Sequence, residues 1–421
     1  MIIRKIKPLL LKIYEAASMQ RWNDQIRTIE ITELDKQAHK MIAAYVLGKC
    51  EQECGNRDID WVEIIEAGFF DYLQRIILTD LKPPLFYELK QNREKYFQLN
   101  QWVYERIYPV IKDLGEDFCV RFRNYIMGNF NEGDAGPRRT EKFPGGQSTD
   151  VIVKKSLNKE KYAAGKKFHI KDINKKIVGA AHFYITKWEF NIIQRFNPRG
   201  YQVAEIANNI EKEQKKYNSI AGVKRFLSLK ELINFIDICG QLRFQIRWSH
   251  LYRVPKTSVL GHMLIVAIFS YLFSYLNGSS SKKIVNNYFT GLFHDLPEVL
   301  TRDIINPVKK SVEGLDEIIK EYERSEMDKR IYKLLPLSWH DEIRMFTEKE
   351  FENTEIRDGQ LVKAADDLAA FIEAYLSVEN GIQNENLTEA MKNLKEKYKN
   401  KIVSSVDFGN IYEEFLWQQK N

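Results

Sequence analysis

Phe293-His294-Asp295-Leu296-Pro297-Glu298 sets an imidazole and a carboxylate side by side, and the spacing around it decides how the chain is read. His262 lies 32 residues before His294, and Asp366 lies 71 residues after Asp295. Two imidazoles and two carboxylates gathered from separate segments can close around one divalent metal, which points to metal-assisted hydrolysis. Neighbouring residues on a helix splay about 100° apart and normally cannot share a target, but a metal can accept both. Glu298 falls one helical turn after His294, so its carboxylate is expected over the same site, as a proton-handling group beside an activated water. His262 opens the uncharged run 263–276 and is expected at the N-terminal end of a buried helix. Asp366 sits in a second helical pattern, residues 361–371. Ligands drawn from separate helices describe an all-α bundle with a metal at its centre.

A second His-Asp pair, His340-Asp341, lies in a charged segment without the Gly-Leu-Phe lead-in of the first and reads as a solvated turn.

Arg247-Trp248, then His262, then the run from Phe293 to Lys309, then Lys363-Ala364-Ala365-Asp366 resemble the HD-domain metal-dependent phosphohydrolases. The branch that contains the bacterial 5'-deoxynucleotidases is the most similar, and the resemblance runs from about Gln241 to about Tyr375. It implies that His262, His294, Asp295 and Asp366 hold one divalent ion, of the set Mn, Co, Zn, Ni, Fe or Mg, and that Glu298 helps to activate water. It further implies that Arg247 and Trp248 contact phosphate and sugar, and that Asp303 faces the sugar hydroxyl. Two positions depart from the family pattern: Arg302 replaces a small residue, and Gly261 stands where an acidic residue often precedes the first histidine. These bear on substrate preference more than on the metal.

At 421 residues the chain is long for one helical domain. A hydrophobic fraction of 44% with 12% aromatics supplies packed cores and rules out disorder of the whole. Cys50, Cys54, Cys119 and Cys239 show no zinc-site spacing, so free buried thiols in a reducing cytoplasm are expected. The first residues are basic, but the apolar segment behind them is too short for a signal peptide, and the run 263–276 is too short to span a bilayer. A soluble, cytoplasmic protein without membrane partners is therefore expected. The net charge of +6 is uneven: residues 138–176 hold 12 Lys/Arg against 4 Asp/Glu. Such a run is usually a solvated loop; it would also draw anionic substrates, and nucleic-acid contact is its secondary reading.

An internal repeat organises the chain. An offset of 223 carries His39 to His262 and Gly68-Phe69-Phe70-Asp71-Tyr72 onto Gly291-Leu292-Phe293-His294-Asp295. It also sets Asp80 on Asp303 and Pro84 on Pro307. Arg21-Trp22 matches Arg247-Trp248 but stands three residues farther from its histidine, and residues 177–182 match 361–366. The expected architecture is two tandem HD-type helical domains forming a pseudo-dimer: residues 1–220 a degenerate copy with a basic insert at 128–170, and 221–421 the intact one. Where the intact copy reads His, Asp, Glu, Asp, the first reads Asp71, Tyr72, Arg75, His182. Three readings of that copy stay open: a scaffold, a three-ligand metal site of His39, Asp71 and His182, or an anion site around Arg21 and Arg75.

The leading functional reading is a phosphomonoesterase acting on nucleotides, with 5'-deoxynucleoside monophosphates first and self-association as a further expectation. Its rivals are hydrolysis of nucleoside triphosphates or cyclic nucleotides, and a nucleotide-sensing regulatory protein that contacts nucleic acid.

Overall fold

Side-chain caps start the helices that build the site. Thr32, Ser258, Ser280 and Asp358 each accept a hydrogen bond from the backbone N–H three residues on, satisfying one of the orphan donors of a first turn. The computed structural model of the chain describes residues 5–79, 81–128, 170–304 and 312–415.

Within these, α1 (Lys7–Ser18), α2 (Glu33–Glu53) and α3 (Trp61–Leu78) open the chain, followed by α4 (Pro83–Gln91), α5 (Arg93–Ile111) and α6 (Glu116–Met127). Next come α7 (Asp172–Phe196), α8 (Val203–Lys215), α9 (Ala221–Ser228) and α10 (Lys230–Gln241). The C-terminal part holds α11 (Val259–Leu276), α12 (Ser281–Phe293), the single turn α13 (Glu298–Thr301), α14 (Leu315–Glu326), α15 (His340–Thr347), α16 (Gly359–Glu379) and α17 (Glu385–Tyr398). A two-residue antiparallel pair, β1 (Ile402–Val403) with β2 (Val406–Asp407), precedes α18 (Phe408–Glu413). Among the described residues the protein is all-α apart from that pair.

The chain divides into two compact units, Met1–Ile76 with Lys171–Asn421, and Ile77–Ile170. In the smaller unit α5 packs on α4 and α6, and Val103, Ile107, Phe118 and Phe122 are buried. In the larger, α11 is the central helix: it packs against α2, α12 and α16, and nearly every side chain along it is buried. Gly291 lets α12 close on α11, because a Cβ there would stand 2.8 Å from the Ala267 backbone. Gly68 allows the same approach of α3 to α2 at Met41.

The first helices cross over. Tyr14 of α1 donates to the Ala369 carbonyl of α16 at 2.8 Å, while α10 packs on α2 and takes a 2.7 Å hydrogen bond from Trp188 of α7 to Asp237. The larger unit is thus continuous through residue 220, and α9 and α10, expected to begin the C-terminal domain, lie against α2.

Two loops match bond for bond. Arg21 N–H donates to Ile31 O at 2.7 Å and Arg247 N–H to Thr257 O at 3.0 Å; Gln25 N–H reaches Trp22 O, and Leu251 N–H reaches Trp248 O. Both tryptophans adopt positive φ, 55° and 57°. The offset here is 226, and it runs on into the caps Thr32 and Ser258.

Several expectations are corrected. Cys54 is exposed, though all four thiols are free and the other three are buried. His340-Asp341 begins α15, with His340 Nε2 3.2 Å from Leu335 O. Beyond Glu326, where α14 ends, the chain tightens into short irregular turns. α11 is long and apolar enough to cross a membrane, but 89% of it is buried within the protein, as a core helix is. Asp80, most of the basic insert and the segment 305–311 lie outside the described residues.

Candidate metal centre

Two helices and the turn that follows a third bring four candidate ligands together. His262 stands in the first turn of α11, buried, with Nε2 3.0 Å from Asp366 Oδ1 and 4.0 Å from Asp295 Oδ2. His294 Nε2 lies 3.2 Å from Asp295 Oδ2 and 3.9 Å from Asp366 Oδ1. Among the described residues, His262, His294 and Asp295 are the one group of such side chains whose donor atoms all lie within 4.8 Å of one another. Asp366 completes the set from α16. His294 and Asp295 do not share a helical face: α12 ends at Phe293, and the chain turns through residues 294–297 before α13. That turn lets adjacent side chains point at one target.

The ring orientations suit a metal. His294 Nδ1 lies 2.9 Å from the Gly291 carbonyl, to which only a protonated Nδ1 can donate, so Nε2 is the nitrogen that faces the site. That Nε2 is buried and, though near Asp295, makes no hydrogen bond of proper alignment. A buried polar atom left so is an uncommon cost unless it has another partner, and a cation is one. His262 Nδ1 meets Glu373 Oε1 at 3.2 Å, which turns its Nε2 the same way. Burial works to lower the His294 pKa, but the charges of Asp295 and Asp366 outweigh it and push it up to about 9. Burial works to raise Asp295, and His294 more than offsets this, holding it at about 2. Asp366 is likewise held well below the carboxylate range, against its burial, by Lys363 at 2.7 Å. The centre thus favours positive charge, and its two imidazoles and two carboxylates fit a divalent cation.

Arg247 borders this group. Its Nη1 is 3.5 Å from Asp295 Oδ2, its Nε donates to Glu373 Oε2 at 3.2 Å, and Asp303 and Glu298 are near enough to act on its charge. Trp248 donates its indole N–H to Glu373 Oε2 at 2.9 Å, so its polar edge is engaged within the protein. Glu298 opens α13, directly after the turn that carries the His-Asp pair. Glu373, unrecognised in the sequence, is fully buried. The signal was there: it lies two helical turns after Asp366 on the same helix, a lone acid within Ala369-Ala370-Phe371-Ile372-Glu373-Ala374.

The N-terminal counterpart is built differently. Counted from the caps, the residue at the place of His262 is Lys36, not His39, because both stand four residues after the cap. Lys36 Nζ lies 2.5 Å from His182 Nδ1, and Lys40 Nζ lies 3.2 Å from Asp71 Oδ2. His39 sits a turn farther along and faces α10, its Nε2 2.9 Å from the Ile236 carbonyl and its Nδ1 3.1 Å from Arg243 Nη2. Both ring nitrogens are used, so His39, Asp71 and His182 do not form a ligand set. Tyr72 donates to the Ile13 carbonyl, and Arg75 lies 3.4 Å from Glu33, which also binds Arg21.

The family profile of the HD domain matches residues 239–406. The 4'-phosphooxetanocin A phosphatase of Priestia megaterium is 25% identical over 198 residues, 45% of this chain and 96% of its own. A 5'-deoxynucleotidase of Vibrio atlanticus is 25% identical over 180 residues, 42% of this chain and 89% of its own. A 5'-deoxynucleotidase of Vibrio cholerae is 27% identical over 167 residues, 38% of this chain and 82% of its own. These matches identify residues 239–406 as an HD domain, and over this part the chain is similar to the named phosphatase and 5'-deoxynucleotidases.

Proposed function

We propose that this protein is a metal-dependent phosphomonoesterase that releases phosphate from 5'-deoxynucleoside monophosphates in the cytoplasm. The observation that carries the reading is the guanidinium of Arg247 beside the metal ligand Asp295. A phosphate gripped by Arg247 would lie next to the cation that Asp295 would bind. Relatives named as 5'-deoxynucleotidases and as a nucleotide-analogue phosphatase support the substrate class.

His262, His294, Asp295 and Asp366 would hold a divalent ion, which would supply Lewis acidity toward the phosphate and lower the pKa of a nearby water. Arg247 grips the phosphate oxygens and neutralises charge as it develops. Glu298 takes the proton from the attacking water. Asp303 accepts from a sugar hydroxyl, and Trp248, its N–H already engaged, offers only its ring to the sugar. The N-terminal half is read as a degenerate copy that packs against the catalytic half, on the strength of the matching Arg-Trp loops and caps.

Phosphate release from a panel of ribo- and deoxyribonucleoside mono-, tri- and cyclic phosphates, with Mn2+ or Co2+, tests the proposal. Turnover led by the deoxynucleoside monophosphates is expected. Turnover confined to triphosphates or cyclic nucleotides, or ligand-dependent nucleic-acid retention without turnover, would contradict it.

A further inference from the structure

One carboxylate joins the metal side of the centre to the phosphate side. Glu373, buried on α16, accepts four hydrogen bonds: Oε1 from Thr257 Oγ1 at 2.9 Å and His262 Nδ1 at 3.2 Å, Oε2 from Trp248 Nε1 at 2.9 Å and Arg247 Nε at 3.2 Å. A carboxylate offers about four acceptor positions over two oxygens, so this one is saturated. Its helix is anchored nearby too, since Ser377 Oγ, one turn on, accepts from the Val254 N–H at 3.1 Å.

We infer that Glu373 is a positioning residue that couples metal affinity to phosphate binding, by fixing the ring of His262 and the side chains of Arg247 and Trp248 through one side chain. Each oxygen serves one side. Oε1 sets which nitrogen of His262 faces the metal, and Oε2 sets the fork of Arg247. Because both belong to one rigid group, neither side can shift without the other.

The N-terminal half supplies a control. Glu189 on α7 binds Arg21 Nε at 2.9 Å and Trp22 Nε1 at 3.0 Å through Oε2, as Glu373 binds Arg247 and Trp248. Its Oε1 instead takes Arg243 Nη1 at 3.1 Å, where Glu373 takes a histidine. The same clamp on an Arg-Trp loop therefore exists without a metal ligand attached, and the Oε1 partner marks the added task of Glu373.

The inference rests on the phosphomonoesterase reading for its substrate side but not for its metal side. The experiment is calorimetric titration of the metal-free full chain with Co2+, together with kinetics on the best monophosphate at saturating metal, for Glu373→Gln and Glu189→Gln. An amide cannot accept on both ends. Glu373→Gln is expected to weaken Co2+ binding by roughly 10- to 100-fold, as loss of a ligand-orienting carboxylate does, and to raise KM in parallel. Glu189→Gln should lower thermal stability while leaving both values at wild type. Wild-type Co2+ affinity in a folded Glu373→Gln, or equal losses in the two variants, would overturn the coupling. If Glu373→Gln does not fold, ring 15N shifts of the Zn2+-loaded wild type decide: a proton on Nδ1 of His262 supports the assignment, and a proton on Nε2 overturns it. Absence of turnover on every monophosphate would remove the proposed function and leave the Co2+ titration to decide the metal side alone.

Discussion

Two halves of this protein lead into a buried helix by the same route, an Arg-Trp step with positive φ, a return hydrogen bond and a side-chain cap, yet they end in opposite states. Four residues past the cap, the C-terminal half presents His262 and the N-terminal half presents Lys36. The N-terminal cluster is closed by its own side chains: Lys36 on His182, Lys40 on Asp71, and Arg21 and Arg75 on Glu33. The C-terminal cluster leaves His294 Nε2 without a hydrogen bond and draws positive charge toward two carboxylates. A scaffold of this kind becomes a metal centre where ring nitrogens remain to be satisfied, and a structural core where lysines satisfy them.

The comparison breaks most sharply at Asp295. Asp295→Ala removes a ligand and the charge the cation needs, so phosphate release should fall below detection and bound metal should drop sharply, with the helical circular dichroism retained. Activity and metal at wild-type levels would remove the assignment. Glu298→Gln should keep the metal and lose turnover by about 10²–10⁴-fold, the usual worth of general acid–base catalysis. If metal is lost with it, Glu298 is a ligand or a structural residue.

Arg247→Ala should act on KM. A hydrogen bond to a charged group contributes about 1.5–3 kcal/mol, which corresponds to a KM roughly 10- to 100-fold higher for a monophosphate. An unchanged KM would assign Arg247 to Asp295 and Glu373 alone. Separating the halves should be milder in chemistry but visible in solution. A fragment beginning at Ser219 loses α2 and α7, which cover α10, and should dimerise or aggregate through the exposed face. A monodisperse, fully active monomer would show that the N-terminal half is not needed as a support.

The smallest expected effect concerns His39. Burial, helped by the Arg243 guanidinium, pushes its pKa down to about 3 from an ordinary 6.5. The unfolded chain takes up this proton as pH falls through 6.5, and the folded chain only near 3. The stability that neutral His39 contributes is therefore complete above pH 6.5 and is lost progressively toward pH 3. His39→Gln should make the fall of Tm between pH 6.5 and 4 shallower without changing catalysis. An unaltered slope would mean that other groups govern the acid transition.

Much of the site was legible because its chemistry is local: a His-Asp pair, a histidine at the head of an uncharged run and an aspartate in a helical pattern need little tertiary information. The two helices that carry His262 and Asp366 were legible from an uncharged run and a helical pattern. The register of the first copy was not. A histidine at a constant offset of 223 drew attention to His39, but the cap of α2 shifts the count by three residues, and only the cap hydrogen bonds disclose that Lys36 holds the equivalent place. Glu373 was missed because a buried acid takes its meaning from its donors, and those come from residues 247–262, far off in sequence. The crossover of α1 and α10 has no local signal either, which is why a boundary near residue 220 was natural to expect.

On the proposed function, the C-terminal half of this chain binds a catalytic metal and the N-terminal half fills the equivalent place with its own side chains. Elemental analysis of the full chain after loading with Mn2+ or Co2+ and removal of free metal, for the wild type, Asp295→Ala and His39→Ala, tests it directly. One equivalent per chain is expected in the wild type and His39→Ala, and far less in Asp295→Ala. Two equivalents in the wild type falling to one in His39→Ala, or a full equivalent retained in Asp295→Ala, would contradict it.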